Sequence, residues 1–474
     1  MQGVYPVADV RAGEQALMGR LPESALMQRA ANGLAVHCAA LLGRVYGARV
    51  ALLVGAGNNG GDALYAGARL AARGAQVTAL LLDAERAHPE GLAALRRAGG
   101  RITGPHPDVL HDADLVLDGI LGIGGRGGLR APAAGLAKVA RGVLTVAVDL
   151  PSGVDADTGT AGRDVVHADV TVTFGVVKAG LVVGRGAELA GQLRLVDIGL
   201  RDTIAETDTH LLEAPDVRAA LHVPGATDDK YTRGVVGVVA GSAQYSGAGV
   251  LATGSALCGG AGMVRYAGGS PDDIRARYPE VVVHPGTKPS ELRVQAWVVG
   301  PGMGTDAAAA ELLADVLSTD VPVIVDADGI TLLAERPGLV RDRKAATVLT
   351  PHDREFERIA GEIGDDRLGA ARRAAGELHA TVLLKGNATV VADPSGTAFV
   401  NPTGTPWLGT AGSGDVLSGL LGALLASGLD APVAAATAAY LHGVAGQRAA
   451  ANGPPTAPDV LAELRPAIHS IIAG

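Results

Sequence analysis

The chain has 474 residues, more than one hydrophobic core normally serves, so two domains are expected. Hydrophobic residues at 48 % against charged residues at 19 % exclude a disordered chain, and aromatics at only 3 % leave the cores to Ala, Val, Leu and Ile. A formal charge of −9 excludes a general nucleic-acid binder, whose binding surface would be basic.

Residues 1–10 lack a basic segment followed by a long apolar run, so no secretory signal is expected. The two cysteines, Cys38 and Cys258, are far apart, as in a chain kept reduced; together these features predict a cytoplasmic protein. Residues 25–42 read as an amphipathic helix that packs on a sheet or supports contact between copies in a homo-oligomer. Short β-branched runs at 50–54, 76–82, 115–117, 144–148 and 170–174 then alternate with Ala-rich helical stretches at 63–73 and 90–98. That alternation predicts βαβ units and a mostly parallel sheet, an α/β Rossmann-like three-layer domain.

The pattern loosens over residues 202–224, where Pro215 and Pro224 act as breakers, and the expected division is 1–212 and 213–474. A second alternating series follows, with strands at 235–240, 297–299, 321–325, 347–349, 381–384 and 389–392 and helices at 415–426 and 432–446. It predicts a second three-layer α/β domain. Residues 234–264 carry no charge, a length that invites a membrane span. Their many Gly and Ser residues, with Gln244 and Tyr245, argue instead for a buried strand, loop and helix, and no membrane partner is expected.

The first predicted strand runs into Gly55-Ala56-Gly57-Asn58-Asn59-Gly60-Gly61-Asp62 and then a helix. In an open parallel sheet, ligands sit outside the carboxyl ends of strands, where free amides at a helix start hold phosphate. The packed Asn and Asp side chains can also ligate a cation. The strand at 115–117 ends in Asp118, followed by a second glycine loop carrying Gly122, Ile123, Gly124, Gly125, Arg126, Gly127 and Gly128, with Arg126 or Arg130 placed to meet phosphate. A third strand ends in Asp149, ahead of Pro151-Ser152-Gly153, where a carboxylate can move a proton. Lys178 is a weaker candidate, at least as readily a surface lysine.

The second half carries Thr410-Ala411-Gly412-Ser413-Gly414-Asp415 at the head of a helix. Amides of 412–414 form an anion hole, and Asp415 in the first turn can take a proton from a hydroxyl that attacks phosphorus. Gly241-Ser242, Gly300-Pro301-Gly302-Met303-Gly304 and Thr350-Pro351-His352 follow other expected strands, Tyr245-Ser246-Gly247-Ala248-Gly249 opens a helix, and Lys385-Gly386-Asn387-Ala388-Thr389 joins two strands where it can meet a nucleotide phosphate or ribose.

The motifs at 57–62, 118–124 and 149–155 resemble those of the NAD(P)H-hydrate epimerase family. The resemblance implies substrate contacts from Asn58, Asn59, Gly60, Gly61, Asp62, Gly122 to Gly128 and Asp149, and a potassium site from Asn59, Asp118 and Ser152. Ala63 and Ile123 depart from it, standing where Gly and Thr are usual; the second change removes a hydroxyl. From about 217 onward the chain resembles the ADP/ATP-dependent NAD(P)H-hydrate dehydratases, a branch of the ribokinase-like fold. That likeness implies hydrate contacts from Ala248, Gly302, Gly304, His352 and Asp415. It implies nucleotide contacts from Lys385, Gly386, Asn387, Ala388, Thr389, Thr405, Gly409, Thr410, Ala411, Gly412, Ser413 and Gly414, with ADP the expected nucleotide, ATP the alternative, and magnesium beside it. Ala411 replaces a usual Gly, away from the three small residues nearest Asp415. The two likenesses together imply repair of hydrated NADH and NADPH, NAD(P)HX, with Asp149 and Asp415 as the catalytic groups. The rival is a ribokinase-like vitamin-alcohol kinase fused to a non-catalytic nucleotide-binding module.

Overall fold

A computed structural model describes all residues except Glu23 and Asn452. The chain divides into two compact units, one of residues 3–207 and one of residues 1–2 with 208–474. Residues 208–212, expected with the first domain, lie in the second, because the strand Thr209–Leu211 pairs in parallel with Ala398–Val400 of the second sheet.

The first unit is built on a seven-stranded parallel sheet. Its spatial order is Arg101–Thr103, Gln76–Leu81, Arg49–Val54, Leu115–Gly119, Thr145–Val148, Val170–Phe174 and Gln192–Val196. Alternate side chains feed two apolar layers. Val50, Leu52 and Val54 join the helices Ala25–Leu42 and Asn58–Ala72 on one face, while Ala51 and Leu53 meet Leu136, Ala137 and Ala140 on the other. The winding reverses between Arg49–Val54 and Leu115–Gly119, which makes their carboxyl ends the switch point of the sheet.

Residues 57–62 do not form a loop. The helix begins at Asn58, with Gly57 as its cap at φ +104°, so the Asn-Asn-Gly-Gly segment supplies the first turn and its free amides. Ala63 lies fully buried in that helix and packs on the neighbouring strand end: a Cβ on Gly119 would stand 2.6 Å from Ala63 Cβ.

In the second unit, the strands run Val282–Val283, Met263–Tyr266, Val235–Val239, Ala296–Val299, Val323–Val325, Thr347–Leu349 and Thr381–Leu384, all parallel. An antiparallel meander, Val390–Ala392 and Ala398–Val400, extends it. Here too the strands split their side chains. Val236, Val238, Val298 and Ile324 pack under the buried helix Ser413–Ala426, and Val235, Val239, Trp297 and Val299 pack against Ala307–Leu317. The uncharged stretch 234–264 is a strand, a 13-residue helix Ser246–Cys258 and the start of the next strand. Among the described residues no helix is long and apolar enough to cross a membrane. Both cysteines are free.

Gly119→Ala is expected to lower the stability of the first unit by about 1–3 kcal/mol in urea unfolding, because overpacking here involves backbone as well as Ala63. Adding Ala63→Gly is expected to restore part of that loss.

Candidate active sites

At the switch point of the first unit a cavity of about 1130 Å³ opens over the strand ends. Asn58, Asn59, Asp62, Gly122, Ile123, Gly124, Gly125 and Asp149 line it. Gly60 and Gly61 are buried in the helix turn behind it. Arg126, Gly127, Gly128 and Arg130 are exposed and do not line it; Leu129 N in that stretch binds Asp164 O at 2.7 Å and draws the loop away. The cation on the cavity wall is Arg11, from the helix Val7–Met18, whose guanidinium reaches Ile123 O at 3.4 Å. Glu14, one turn further along that helix, also lines the cavity. Neither residue belongs to a glycine motif, so nothing local in the sequence pointed to them.

Asp149 stands just past Thr145–Val148 with φ +67°, a backbone state that residues with a Cβ rarely adopt. Its Oδ1 collects three donors: Lys178 Nζ at 2.5 Å, Thr173 Oγ1 at 3.1 Å and Phe174 N at 3.1 Å. Lys178 is therefore no surface lysine. It is 1 % exposed, and it also donates to Thr173 Oγ1 and the Phe174 carbonyl. Anchoring one oxygen this firmly fixes the carboxylate plane and leaves Oδ2 for a ligand. Asp62 has the opposite character. Burial first, then the charges of Asp149 and Glu14, push its carboxyl well above the usual carboxylate range, and its buried Oδ1 has no hydrogen-bond partner among the described residues. The wall thus sets a buried carboxyl whose proton affinity is raised near a carboxylate that is ion-paired.

Asn59, Asp118 and Ser152 do come together. Ser152 Oγ and N donate to the two Asp118 oxygens at 2.6 and 2.8 Å, and Asn59 Nδ2 donates to the Leu121 carbonyl at 2.9 Å, whose amide binds Ser152 Oγ at 2.9 Å. Asp118 is fully buried with no ion-pair partner among the described residues, and burial raises its carboxyl to about 6 against the pull of those hydrogen bonds. One buried carboxylate amid neutral oxygens lacks a single positive charge. That donor set suits a monovalent cation better than a divalent one.

In the second unit the glycine turn caps the helix Ser413–Ala426, with Gly412 at φ +87° and Asp415 in the first turn. Burial first, then the nearby Asp326 charge, raise the Asp415 carboxyl to about 7, while Lys385 pulls it down. Ala248 and Gly302 meet: a Cβ on Gly302 would stand 2.7 Å from Ala248 Cβ. Gly304 N donates to Asp328 Oδ2 at 2.9 Å. His352 caps the helix Asp353–Ala360, its Nδ1 accepting from Glu355 N at 3.3 Å while Glu355 Oε2 accepts from His352 N at 2.8 Å. Lys385 points back into the sheet end, 2.8 Å from Asp326 Oδ1 and 3.7 Å from Glu355 Oε2. Asn387 Oδ1 is buried and unpartnered among the described residues, Thr389 Oγ1 donates to Gly386 O at 3.0 Å, and Ala388 is buried. Thr405 caps the short turn Pro406–Leu408, Ser413 Oγ donates to Leu408 O at 2.6 Å, Gly409 and Ala411 are exposed, and Thr410 is partly so. Sequence reasoning passed over Asp326, Asp328 and Glu355. Asp326 carried a readable signal, since it immediately follows the expected strand at 321–325, as Asp118 and Asp149 follow theirs, and Asp328 lies two residues further on.

Comparison with known proteins agrees with this division of labour. A family model described as NAD(P)H-hydrate dehydratase matches residues 236–466, and one described as YjeF-related protein N-terminus matches residues 23–180. The bifunctional NAD(P)H-hydrate repair enzyme Nnr of Mycobacterium leprae is 50 % identical in an alignment covering 100 % of both chains. The protein of that name in Escherichia coli K12 is 34 % identical, covering 85 % of this chain and 81 % of that one. An ADP/ATP-dependent NAD(P)H-hydrate dehydratase from Bacillus subtilis, co-crystallised with ATP/Mg2+, is 28 % identical and superposes with a TM-score of 0.51 over 55 % of this chain and 98 % of that one. A ribokinase-like superfamily protein from Enterococcus faecalis V583, 24 % identical with a TM-score of 0.52 over 57 % of this chain and 99 % of that one, shows the fold alone.

Fold and sites define an α/β enzyme of two parts, a Rossmann-like unit and a ribokinase-like unit, each with a carboxylate at the head of its sheet. The chain belongs to the family of bifunctional NAD(P)H-hydrate repair enzymes.

Lys178→Met is expected to destabilise the first unit by about 3–5 kcal/mol, since it leaves Asp149 as an uncompensated buried charge. Combined with Asp149→Asn it is expected to cost less than the two changes added, measured as a double-mutant cycle in urea.

Proposed function

We propose that this chain repairs hydrated NADH and NADPH in two steps, one in each unit. The first unit interconverts the R and S hydrates, and the second removes the added water from the S form at the expense of a nucleoside phosphate. The observation that carries the reading is that each unit holds a buried or half-buried carboxylate, Asp149 or Asp415, beside glycine-lined amides at the carboxyl end of its parallel sheet. A vitamin-alcohol kinase with a non-catalytic first half is not favoured, because the family pairs both halves for repair and the first half keeps its polar wall.

In the first unit Asp149 acts at the carbon that carries the added hydroxyl. Asn58, Asn59, Asp62 and the 122–125 loop hold the substrate, with the free amides of the helix start facing its phosphates. Potassium, held by Asn59, Asp118 and Ser152, would balance the Asp118 charge and tie the second glycine loop to the strand ends.

In the second unit Asp415 takes the proton of the ring hydroxyl as its oxygen attacks the terminal phosphorus of the nucleotide. With ADP the leaving group is AMP. Phosphate then departs from the ring carbon, a proton leaves the adjacent carbon, and the ring double bond is restored. The amides of 412–414 stabilise charge on the transferring group. Ala248, Gly302, Gly304 and His352 flank the hydrate, and the loops 385–389 and 405–411 flank the nucleotide. Magnesium would neutralise phosphate charge and bind mainly through the phosphates themselves, as that ion commonly does.

Purified protein given S-NADHX, ADP and magnesium is expected to regain absorbance in the NADH band; no recovery with either ADP or ATP overturns the dehydratase reading. Asp415→Ala is expected to cut that rate by about 10²–10⁴-fold and leave R/S interconversion intact, with Asp149→Ala doing the reverse. In a separate measurement, KCl is expected to raise the melting temperature of the wild type relative to tetramethylammonium chloride, by linkage of binding to folding, and to lose that effect in Asp118→Asn.

A further inference from the structure

The second unit contains a buried carboxylate that phosphoryl transfer, as described, leaves unused. Asp326 follows the strand Val323–Val325 and is 1 % exposed. Its Oδ1 accepts from Lys385 Nζ at 2.8 Å and its Oδ2 from Ser418 Oγ at 2.7 Å. Ser418 lies in the buried helix Ser413–Ala426, one turn beyond Asp415. The next residue after Asp326, Ala327, has φ +49°, a left-handed state that a residue with a Cβ seldom adopts unless its surroundings impose it. That turn of the backbone separates two acids with different tasks: Asp326 holds Lys385, and Asp328 holds the Gly304 amide at 2.9 Å.

Lys385 is drawn in from both sides, since Glu355 Oε2 lies 3.7 Å from the same ammonium. It also lies against the glycine turn. A Cβ added to Gly414 would stand 3.4 Å from Lys385 Nζ and 3.8 Å from Asp326 Oδ2, with Asp415 the next residue in the chain. A lysine left to itself samples many rotamers over a four-carbon stem. An ion pair to an acid that is itself buried and hydrogen-bonded selects one of them.

We propose that Asp326 is a positioning residue for the dehydration reaction: with Ser418 it holds the Lys385 ammonium against the 412–414 turn, where this one cation faces both the transferring phosphoryl group and the Asp415 carboxylate. The proposal rests on the reading of Asp415 as the base. It assigns Lys385 a place beside the reacting group rather than a loose contact at the edge of the nucleotide.

The same arrangement sets the proton affinity of the base. The groups bearing on Asp415 are Asp326, Asp328 and Glu355, which raise it after burial has done so, and Lys385, which lowers it. Burial lowers the Lys385 ammonium, but Asp326 and Glu355 outweigh this and the net shift is upward, so it remains charged. Lys385 in turn bears on His442, from the helix Ala431–Ala450; burial first, then the lysine charge, drive that imidazole down to about 4, so it is neutral near pH 7. Replacing Asp326 by Asn removes one influence that raises Asp415 but also releases the ammonium that lowers it, so the two effects on the base oppose each other and the loss of positioning is read in the rate.

The test is the pH dependence of NADH recovery from S-NADHX, ADP and magnesium in the full chain. A base must be deprotonated to act, so the wild-type rate is expected to rise with pH through about 7. In Asp326→Asn the plateau kcat is expected to fall by about tenfold, with KM for S-NADHX changed less than about threefold. A folded Asp326→Asn whose plateau kcat equals the wild type, or whose kcat falls no more than its KM rises, overturns the proposal, because displacing the Lys385 ammonium slows the chemical step rather than weakening binding alone. If Asp326→Asn does not fold by circular dichroism, Ser418→Ala decides: it removes one hydrogen bond and no charge. A kcat about threefold or more below wild type at unchanged melting temperature supports the positioning role, and a kcat equal to wild type overturns it. Asp415→Asn is measured alongside. If that variant still dehydrates S-NADHX, the reading of Asp415 as base fails, an outcome distinct from either result at Asp326.

Discussion

A parallel strand covered on both faces has no place for a charge along its length. Its side chains alternate into two apolar layers, and its backbone groups are consumed by the neighbouring strands. Buried charge is admitted mainly where the strand ends and the chain turns into a helix, and there the unpaired amides of the helix start add to it. Both units follow this constraint. Asn58, Asp118 and Asp149 sit at or just past successive strand ends of one sheet, and Gly302, Asp326, His352 and Lys385 do so in the other. The apolar strands therefore act as the device that gathers residues far apart in sequence to one edge.

What distinguishes the gathered carboxylates is how each is compensated. Asp118 has only neutral donors, from Ser152 and Ile120, and its proton affinity rises accordingly. Asp149 has Lys178 at 2.5 Å, Asp326 has Lys385 at 2.8 Å with Ser418, and Asp62 has an oxygen with no hydrogen-bond partner among the described residues. A buried carboxylate must find a cation, find donors or keep its proton. The three differ accordingly: Asp149 is anchored by a lysine, Asp118 is held by neutral donors, and burial pushes the Asp62 carboxyl upward. Asp415 lies between them: burial and then the surrounding acids raise its affinity to about 7 against the pull of Lys385.

The fold was legible to a large degree because both sheets are written in short β-branched runs. The expected strand at 50–54 is Arg49–Val54, that at 381–384 is Thr381–Leu384, and the helix at 25–42 is Ala25–Leu42. What escaped were elements with weak local signals. Val177–Lys178 is two residues long, Met263–Tyr266 contains an arginine, and Thr209–Leu211 lies in a stretch with little pattern and is held by tertiary pairing, with Ala398–Val400 among its partners. The glycine motifs were legible because Gly, Asn and Asp in one turn are costly anywhere but at a site. Glu14 and Arg11 were not, since an acid and an arginine on an ordinary helix look like a solvated face until the helix is laid beside the Ile123 carbonyl.

The sequence by itself determined which strands could be buried, where each must end and which residues stand at those ends, because short continuous apolar runs and glycine turns are properties of neighbouring residues. Only the tertiary structure decided which of those ends share a cavity and what state each ionisable group adopts there. It turned a lysine that could have been solvated, Lys178, into the buried partner of Asp149, and it drew Lys385 inward onto Asp326. The 126–128 stretch moved the other way, out of the site. Charge compensation inside a protein depends on distance through space and on the exclusion of water, and neither quantity exists until the two sheets have formed and their helices have closed over them.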